Sequence, residues 1–205
     1  MSYSQNDEEA HILAHFAGRS SGRFLDVGAH DGVMLSNTRA LAELGWTGTL
    51  VEPSPAPFVK LMGNYWGRNG MNLAHVAIVP ERSRMLAMAD SRGDFVSTFD
   101  KTHEKVWAAP GADGREGIKF QEIFVYGLTF ADLFRTFPGP YQFVNLDVEG
   151  INVELFRELP LRELGVELIC IEHEGRIRAI EARAEAQGFK NIHANHENVL
   201  LAKQP

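Results

Sequence analysis

Short apolar runs alternate with longer segments of helical periodicity along most of the chain. The segment from Phe58 to Trp66, for example, places apolar residues at i, i+3, i+4, i+7 and i+8, the spacing of one helix face. Predicted strands cover residues 24–26, 47–52, 73–78, 119–125, 142–147 and 166–172, with weaker extended pieces at 85–88 and 95–98. This alternation predicts an α/β fold with a mostly parallel sheet and helices on both faces. Residues 191–202 predict a closing antiparallel hairpin.

Two segments fall outside this alternation. Residues 7–16 carry apolar positions behind an acidic first turn, which predicts an amphipathic helix within the first 20 residues. Residues 102–117 are polar and small without any period, which predicts a mobile loop that could act as a lid. Since 205 residues suit a single core and no linker interrupts the pattern, we predict one domain over residues 1–205.

Four of the predicted strands end in an acidic residue: Asp26, Glu52, Asp147 and Glu172. Charged side chains are rare inside buried sheets, and parallel sheets bind ligands along the edge where the strands end. The four acids therefore indicate one shared crevice. The alternative is that each acid caps the helix that follows its strand.

A glycine-rich turn follows the first of these acids, in the run Phe24-Leu-Asp-Val-Gly-Ala-His-Asp-Gly32. Gly28 and Gly32 allow close approaches that a Cβ atom would obstruct, so the turn can lie against a ligand. Its G-x-x-x-G spacing lacks the G-x-G-x-x-G pattern of dinucleotide sites, which disfavours a nicotinamide cofactor. Glu52, one strand later, is suited to accept hydrogen bonds from two ribose hydroxyls.

Together these features favour a nucleoside cofactor such as S-adenosylmethionine. Asp26 and the amides of the turn would bind its methionine end, while Ala77 and Ile78, after the third strand, would border the adenine. Asn37 would either cap its helix or reach the cofactor carboxylate.

Composition and charge narrow the range of partners. The net charge of −7, without a cluster of Lys and Arg among aromatic residues, argues against nucleic acid. The first nine residues are polar and acidic, and no apolar run is long enough to span a bilayer, so we expect a cytoplasmic protein that does not bind a membrane. Cys170, the single cysteine, excludes an internal disulfide, and its apolar neighbours predict a buried strand residue.

The chain resembles the FkbM-type S-adenosylmethionine-dependent methyltransferases over most of its length. Besides the glycine turn, the resemblance rests on Ser36-Asn-Thr38, Gly45-Trp46 leading to Val51-Glu-Pro53, Ser97-Thr98 and especially Asn145-Leu-Asp-Val-Glu-Gly150. It implies a Rossmann-like class I methyltransferase fold and O-methylation of a hydroxyl on a sugar or small metabolite. The implied cofactor site comprises Asp26, Gly28, Ala29, His30, Asp31, Gly32, Glu52 and Pro53.

One departure from the family pattern follows Gly150. The family usually continues with a small residue and then another acid, whereas this chain has Ile151 and Asn152. The resemblance therefore transfers no role for that second acid to this chain, and Glu154 is the residue that could partly replace it.

Methyl transfer to an alcohol requires in-line placement of the oxygen and removal of its proton. Asp147 and Glu149 lie two residues apart, so in extended geometry both carboxylates face one crevice, and crowding would raise one pKa. We therefore predict that Asp147, Glu149 and Glu172 orient or deprotonate the acceptor. The alternative is that Glu149 caps the next helix and Asp147 binds the cofactor ammonium.

Other readings of the same residues stay open. Asp147 with Glu172-His-Glu174 could form a divalent-metal site, but no spacing motif supports one, and we predict no metal. His193 and His196 are expected in exposed or turn-stabilising positions. The chain could also be a non-catalytic module that binds the cofactor, or a nicotinamide-dependent oxidoreductase, which the glycine spacing disfavours. The exposed hairpin of an acidic domain is compatible with a homodimer.

Overall fold

The computed structural model describes residues 2–111 and 115–204. The strands are β1 (Arg23–Val27), β2 (Thr47–Val51), β3 (Met71–Ala74), β4 (Ala77–Ile78), β5 (Arg84–Asp90), β6 (Gln121–Leu128), β7 (Phe143–Leu146), β8 (Leu168–Glu172), β9 (Phe189–Ala194) and β10 (Asn198–Lys203). The helices are α1 (Glu8–His15), α2 (Arg39–Glu43), α3 (Pro55–Tyr65), α4 (Lys101–Ala108), α5 (Phe130–Thr136), α6 (Asn152–Glu158) and α7 (Ile177–Ala186).

Seven strands form the main sheet, in the order β3-β2-β1-β7-β8-β10-β9. The first five are parallel, and β10 pairs antiparallel with both β8 and β9. Strand order reverses between β1 and β7, so the carboxyl ends of these two strands flank the crevice in which such sheets bind ligands. The predicted Rossmann-like architecture and its closing hairpin are confirmed.

Side chains on both faces of the sheet are buried. Along β1, Leu25 and Val27 pack into one apolar cluster, while Phe24 packs into the cluster on the opposite face. The near-continuous apolar character of the central strands follows from this two-sided burial. Cys170 on β8 is fully buried, as predicted, and burial raises the pKa of its thiol.

The single strand predicted over residues 73–78 is wrong. β3 ends at Ala74, and β4 belongs to a second sheet of three strands, in the order β4-β6-β5. Glu52 N still donates to Ala74 O, but the next N–H on that side of the strand, that of Ser54, donates to Glu52 Oε1 instead of to the sheet. The extended piece expected at 95–98 reduces to one bridge between Ala89 and Thr98.

Residues 102–117 contain a helix rather than only a loop. Asp100 caps α4 by accepting a hydrogen bond from Thr102 N at 2.7 Å. No residue of α4 is buried, which explains why its sequence shows no core-facing period. Residues 112–114 of the predicted loop lie outside the described residues.

The start of α2 also differs from expectation. The helix begins after Thr38, and Ser36 Oγ accepts hydrogen bonds from Thr38 N and Arg39 N. Asn37 therefore does not cap it. In the part of the chain that the structure describes, no helix combines the length and apolar character needed to cross a bilayer.

Candidate active site

The glycine turn brings the end of β1 against the end of β7. Gly28 adopts φ +88°, and a Cβ atom there would lie 1.8 Å from Asp147 O. Gly28 N and Ala29 N both donate to Val51 O at 3.0 Å, which fixes the turn to β2 as well. Only glycine fits this position, because both the backbone conformation and the available space exclude a side chain.

Asp26 lies at the base of the crevice and is 2% exposed. Its two carboxylate oxygens accept hydrogen bonds from Thr38 Oγ1 at 2.6 Å and Asn145 Nδ2 at 2.9 Å. Burial raises the pKa of Asp26, and these two donors oppose that effect. Asn37 Nδ2 donates to Asn145 Oδ1 at 3.1 Å, so Asp26 links β1, β7 and the approach to α2.

Glu52 holds the turn from the β2 side. Its Oε2 accepts from His30 N at 2.8 Å, and its Oε1 accepts from Ser54 N at 2.7 Å. Each oxygen keeps a further lone pair for a ligand hydroxyl. Burial raises the pKa of Glu52 to about 7, because both backbone donors only partly compensate for the lost hydration.

One cavity of about 410 Å³ contains all four strand-terminal acids. Twelve predicted site residues line it: Asp26, Gly28, Ala29, His30, Asn37, Glu52, Pro53, Ala77, Ile78, Asp147, Glu149 and Glu172. The alternative in which each acid only caps its own helix does not explain this convergence.

Asp31 and Gly32 lie behind the cavity wall instead of in it. Asp31 Oδ1 accepts from Val33 N at 2.9 Å and Met34 N at 2.8 Å. Gly32 packs so closely on Tyr65 and Leu61 that a Cβ atom would lie about 2.5 Å from the tyrosine ring. Gly32 therefore packs the turn against α3, while Asp31 holds the backbone that follows the turn.

Three carboxylates crowd together in the part of the cavity next to β7 and β8. Oxygens of Asp147, Glu149 and Glu172 lie within 4.8 Å of one another. Burial, followed by the neighbouring negative charges, raises the pKa of Glu149 and Glu172, and burial raises that of Asp147. A group of this kind holds protons near neutral pH and can exchange them.

Glu149 does not cap α6. The residue before that helix is Ile151, and no side chain caps it. Glu149 Oε2 instead lies 3.1 Å from His103 Nε2, and Glu149 O accepts a hydrogen bond from Thr98 Oγ1 at 2.9 Å. Its side chain is therefore directed towards α4 and the cavity.

His173 does not join the acidic cluster. Its Nε2 lies 3.2 Å from Asn195 O, and its Nδ1 accepts from Gly175 N at 3.0 Å. The mixed site imagined for Asp147, Glu172 and His173 is therefore not assembled, and Glu149 takes the third position in the cluster.

A family comparison decides the relationship to known proteins. The model of the methyltransferase FkbM domain matches residues 26–199. This chain belongs to the FkbM methyltransferase family. The match covers every strand-terminal acid described above.

The fold of this FkbM-family chain is similar to that of solved methyltransferase structures. It resembles a protein described as "Putative methyltransferase yhhF" from Escherichia coli, with a TM-score of 0.51 and 14% identity over 100% of this chain and 89% of that one. The ribosomal protein L11 methylase from Lactobacillus delbrueckii subsp. bulgaricus matches with a TM-score of 0.50 and 11% identity, over 96% and 78% of the two chains. A search of curated proteins finds no match.

The departure from the FkbM pattern at Asn152 has a structural consequence. Asn152 Nδ2 donates to Glu172 Oε2 at 3.0 Å and to Glu174 Oε1 at 3.2 Å, while its Oδ1 accepts from Val148 N. An amide thus replaces an acid where further negative charge would be costly. Glu154 does not substitute, because it forms an ion pair with Arg176 at 2.6 Å.

The contribution of α4 to the candidate site of this FkbM-family chain was not predicted from the sequence. His103 and Trp107 line the cavity from this helix, and the Trp107 Nε1 to His103 Nε2 distance is 3.1 Å. Their i, i+4 spacing was the available signal, since it places both on one helix face. His30 stacks on Phe95 with ring centroids 4.1 Å apart, a contact that local sequence does not reveal.

Proposed function

We propose that this FkbM-family chain uses S-adenosylmethionine to methylate a hydroxyl group of a sugar or other small metabolite. The observation that carries the proposal is one cavity in which an anchored pair of acids and a crowded group of three acids face the same space. The family and fold imply the cofactor, and the cavity volume lies within the range of small-molecule sites.

The residues around the glycine turn fit the cofactor. Glu52 has carboxylate lone pairs free for ribose hydroxyls, and Gly28 and Ala29 leave the wall without bulky side chains. Asn37 Oδ1 is buried and has no partner in the described structure, which leaves an acceptor for an amine or hydroxyl donor. Pro53, Ala77 and Ile78 offer an apolar surface for the adenine ring.

The cofactor, when bound, supplies an electrophilic methyl group. The chain must then hold an acceptor oxygen in line with that methyl and receive the proton of the hydroxyl. Asp147 and Glu149 are the two candidate bases, since their carboxylates face the cavity beside the cofactor residues. Glu172, fixed by Asn152, would orient the acceptor or accept the proton in turn.

The charge of the cavity limits the acceptor class. The negative charge that remains on the three crowded acids repels phosphate and carboxylate groups, whereas hydroxyl groups donate hydrogen bonds to their oxygens. A neutral polyol or saccharide therefore fits this wall better than a nucleic acid.

The alternative is a module that binds the cofactor without catalysis. Calorimetric titration with S-adenosylhomocysteine tests the shared first step, and the absence of heat or a thermal shift at millimolar ligand would overturn both readings. Incubation with labelled S-adenosylmethionine and a panel of neutral sugars and small alcohols then separates them. We expect label in a hydroxyl-bearing product; tight binding without transfer to any acceptor would favour the module.

The same titration with NAD and NADP tests the oxidoreductase reading. We expect no binding of either dinucleotide, because the turn lacks the glycine spacing that accommodates a pyrophosphate.

A further inference from the structure

A second group of metal-ligating side chains lies away from the cavity, where α1 meets the C-terminal hairpin. His193 Nε2 on β9 is 2.9 Å from Asp7 Oδ1, and His11 Nε2 on α1 is 3.5 Å from Asp7 Oδ2. Their donor atoms all lie within 4.8 Å of one another. We propose that Asp7, His11 and His193 bind a transition-metal dication of the zinc class and thereby link the two ends of the chain.

The donor set suits such an ion. Two imidazole nitrogens and one carboxylate oxygen are ligands that Zn²⁺ accepts in tetrahedral sites, with a further position open to water. Bond lengths near 2.0–2.1 Å place neighbouring donors on one ion roughly 3.3 Å apart. The two nitrogen–oxygen distances of 2.9 and 3.5 Å lie on either side of this spacing.

Only a small rearrangement separates the present geometry from coordination. The His11 and His193 rings are stacked with centroids 3.8 Å apart, so one ring must turn for the two Nε2 lone pairs to converge. The His11 side chain is 41% exposed on the outer turn of α1 and has room to do this. Each ring then carries its proton on Nδ1 rather than Nε2.

Neighbouring groups hold the carboxylate of Asp7 in place. Asn195 Nδ2 lies 3.4 Å from Asp7 Oδ1 and donates to Glu8 Oε1 at 2.7 Å, so it fixes both acids from the hairpin side. Among the described ion pairs, Asp7 has partners only in these two histidines. Such supporting contacts orient metal ligands in general.

The site would connect to the cavity through the segment before α1. Gln5 Nε2 donates to Glu197 Oε1 at 2.8 Å, and both residues line the cavity wall. Asn6 Nδ2 donates to Glu197 Oε2 at 3.1 Å. A metal that links Asp7 to the hairpin would hold this segment in place, while none of the three ligands itself lines the cavity.

The test is calorimetric titration of the full chain, without a polyhistidine tag, with Zn²⁺ in a non-chelating buffer. We expect one equivalent to bind with a micromolar dissociation constant and to raise the melting temperature until a chelator is added. His11→Ala and His193→Ala should each raise the dissociation constant at least tenfold. Substitution of Co²⁺ should give the intense visible absorption of a tetrahedral ion.

The matched control is His196→Ala, because His196 lies on the same hairpin but outside the cluster. It should bind like the wild type. Equal affinity of His193→Ala and His196→Ala would overturn the proposal, as would zinc binding that Glu149→Gln, but not His11→Ala, removes. His11→Ala changes an exposed side chain, so it keeps the test valid if His193→Ala does not fold.

Discussion

The carboxylates of the cavity lie in two different environments. Asp26 and Glu52, beside the glycine turn, each accept hydrogen bonds from two donors of the chain. Asp147, Glu149 and Glu172 face one another, and burial together with like charge raises the pKa of Glu149 and Glu172. We propose that the first arrangement fixes the position of a ligand, whereas the second keeps protons available for exchange.

The largest effect should come from Glu149→Gln, which removes a proton acceptor without changing size. We expect kcat to fall by roughly 10²–10⁴-fold, the usual contribution of a general base, while the affinity for S-adenosylhomocysteine stays within about threefold. Single-turnover transfer of labelled methyl to the acceptor found in the panel measures the first quantity, and calorimetry the second.

Asp147→Asn extends this experiment to the other candidate base, and Glu158→Gln on the exposed end of α6 is the control. If Asp147→Asn lowers turnover and cofactor affinity equally, Asp147 is an anchor and belongs with Asp26 and Glu52.

Gly28 is the contact between the glycine turn, which carries the first pair of acids, and the end of β7, which leads to the acidic cluster. In Gly28→Ala the new methyl group would meet Asp147 O, and the residue would be strained at positive φ. We expect a loss of about 3 kcal/mol or more in the free energy of unfolding, measured by chemical denaturation.

Gly63→Ala is the matched control for Gly28, because a Cβ atom there meets nothing within 4 Å inside α3. Alanine should stabilise that helix slightly. Equal stabilities of the two variants would mean that the turn does not need its close contact with β7.

Glu52→Ala tests the role of the hydrogen-bonded acids beside the glycine turn. Loss of a charged acceptor should raise the dissociation constant for S-adenosylhomocysteine by about 10–100-fold, as expected for hydrogen bonds to a charged group. Glu52→Gln keeps one acceptor oxygen and should lose less affinity. Unchanged calorimetric affinity in both variants would remove Glu52 from the ribose site.

The last effect concerns the pH dependence of stability. The pKa of Glu172 is raised in the folded chain, so the folded state holds a proton that the unfolded state releases once the pH exceeds its ordinary value of 4.5. The stabilisation is complete below that pH and is lost as the pH rises towards the folded pKa. We expect the stability of Glu172→Gln relative to wild type to increase as the pH rises from 4.5 to 8.

Thermal melts at the two pH values measure this difference, with the exposed Glu158→Gln as control. The same slope of melting temperature against pH in wild type and Glu172→Gln would show that crowding does not strain the acidic cluster.

The part of the cavity around Asp26 and Glu52 could be predicted from the sequence, because the motifs that indicate it are local. The acid at the end of a strand, the glycine spacing and the one-strand interval to Glu52 all lie within about 30 residues. The partners of Asp26 could not be predicted: Asn145 meets it through the pairing of β1 with β7, and Thr38 meets it from the segment before α2.

The surroundings of the cluster of Asp147, Glu149 and Glu172 depend more on long-range packing. The spacing of Asp147 and Glu149 predicted their common orientation, but His103 reaches Glu149 from a helix that has no apolar period. The alternative metal site of Asp147 with Glu172-His-Glu174 is not assembled, because His173 lies against the backbone of the hairpin. The break between β3 and β4 accompanies a contact made after β2, where Ser54 N donates to Glu52 Oε1 and not to the sheet.

The absence of buried residues in α4 has a consequence for how occupancy of the site can be observed. An isolated helix of eight residues is unstable in water, so α4 depends on its few contacts with the cavity wall, including that of His103 with Glu149. Its amides should exchange with solvent through local unfolding, whereas those of β1 and β7 should exchange only on global unfolding. A molecule that fills the space beneath His103 and Trp107 would slow this exchange. Amide exchange in α4 therefore reports on ligand binding in the cavity.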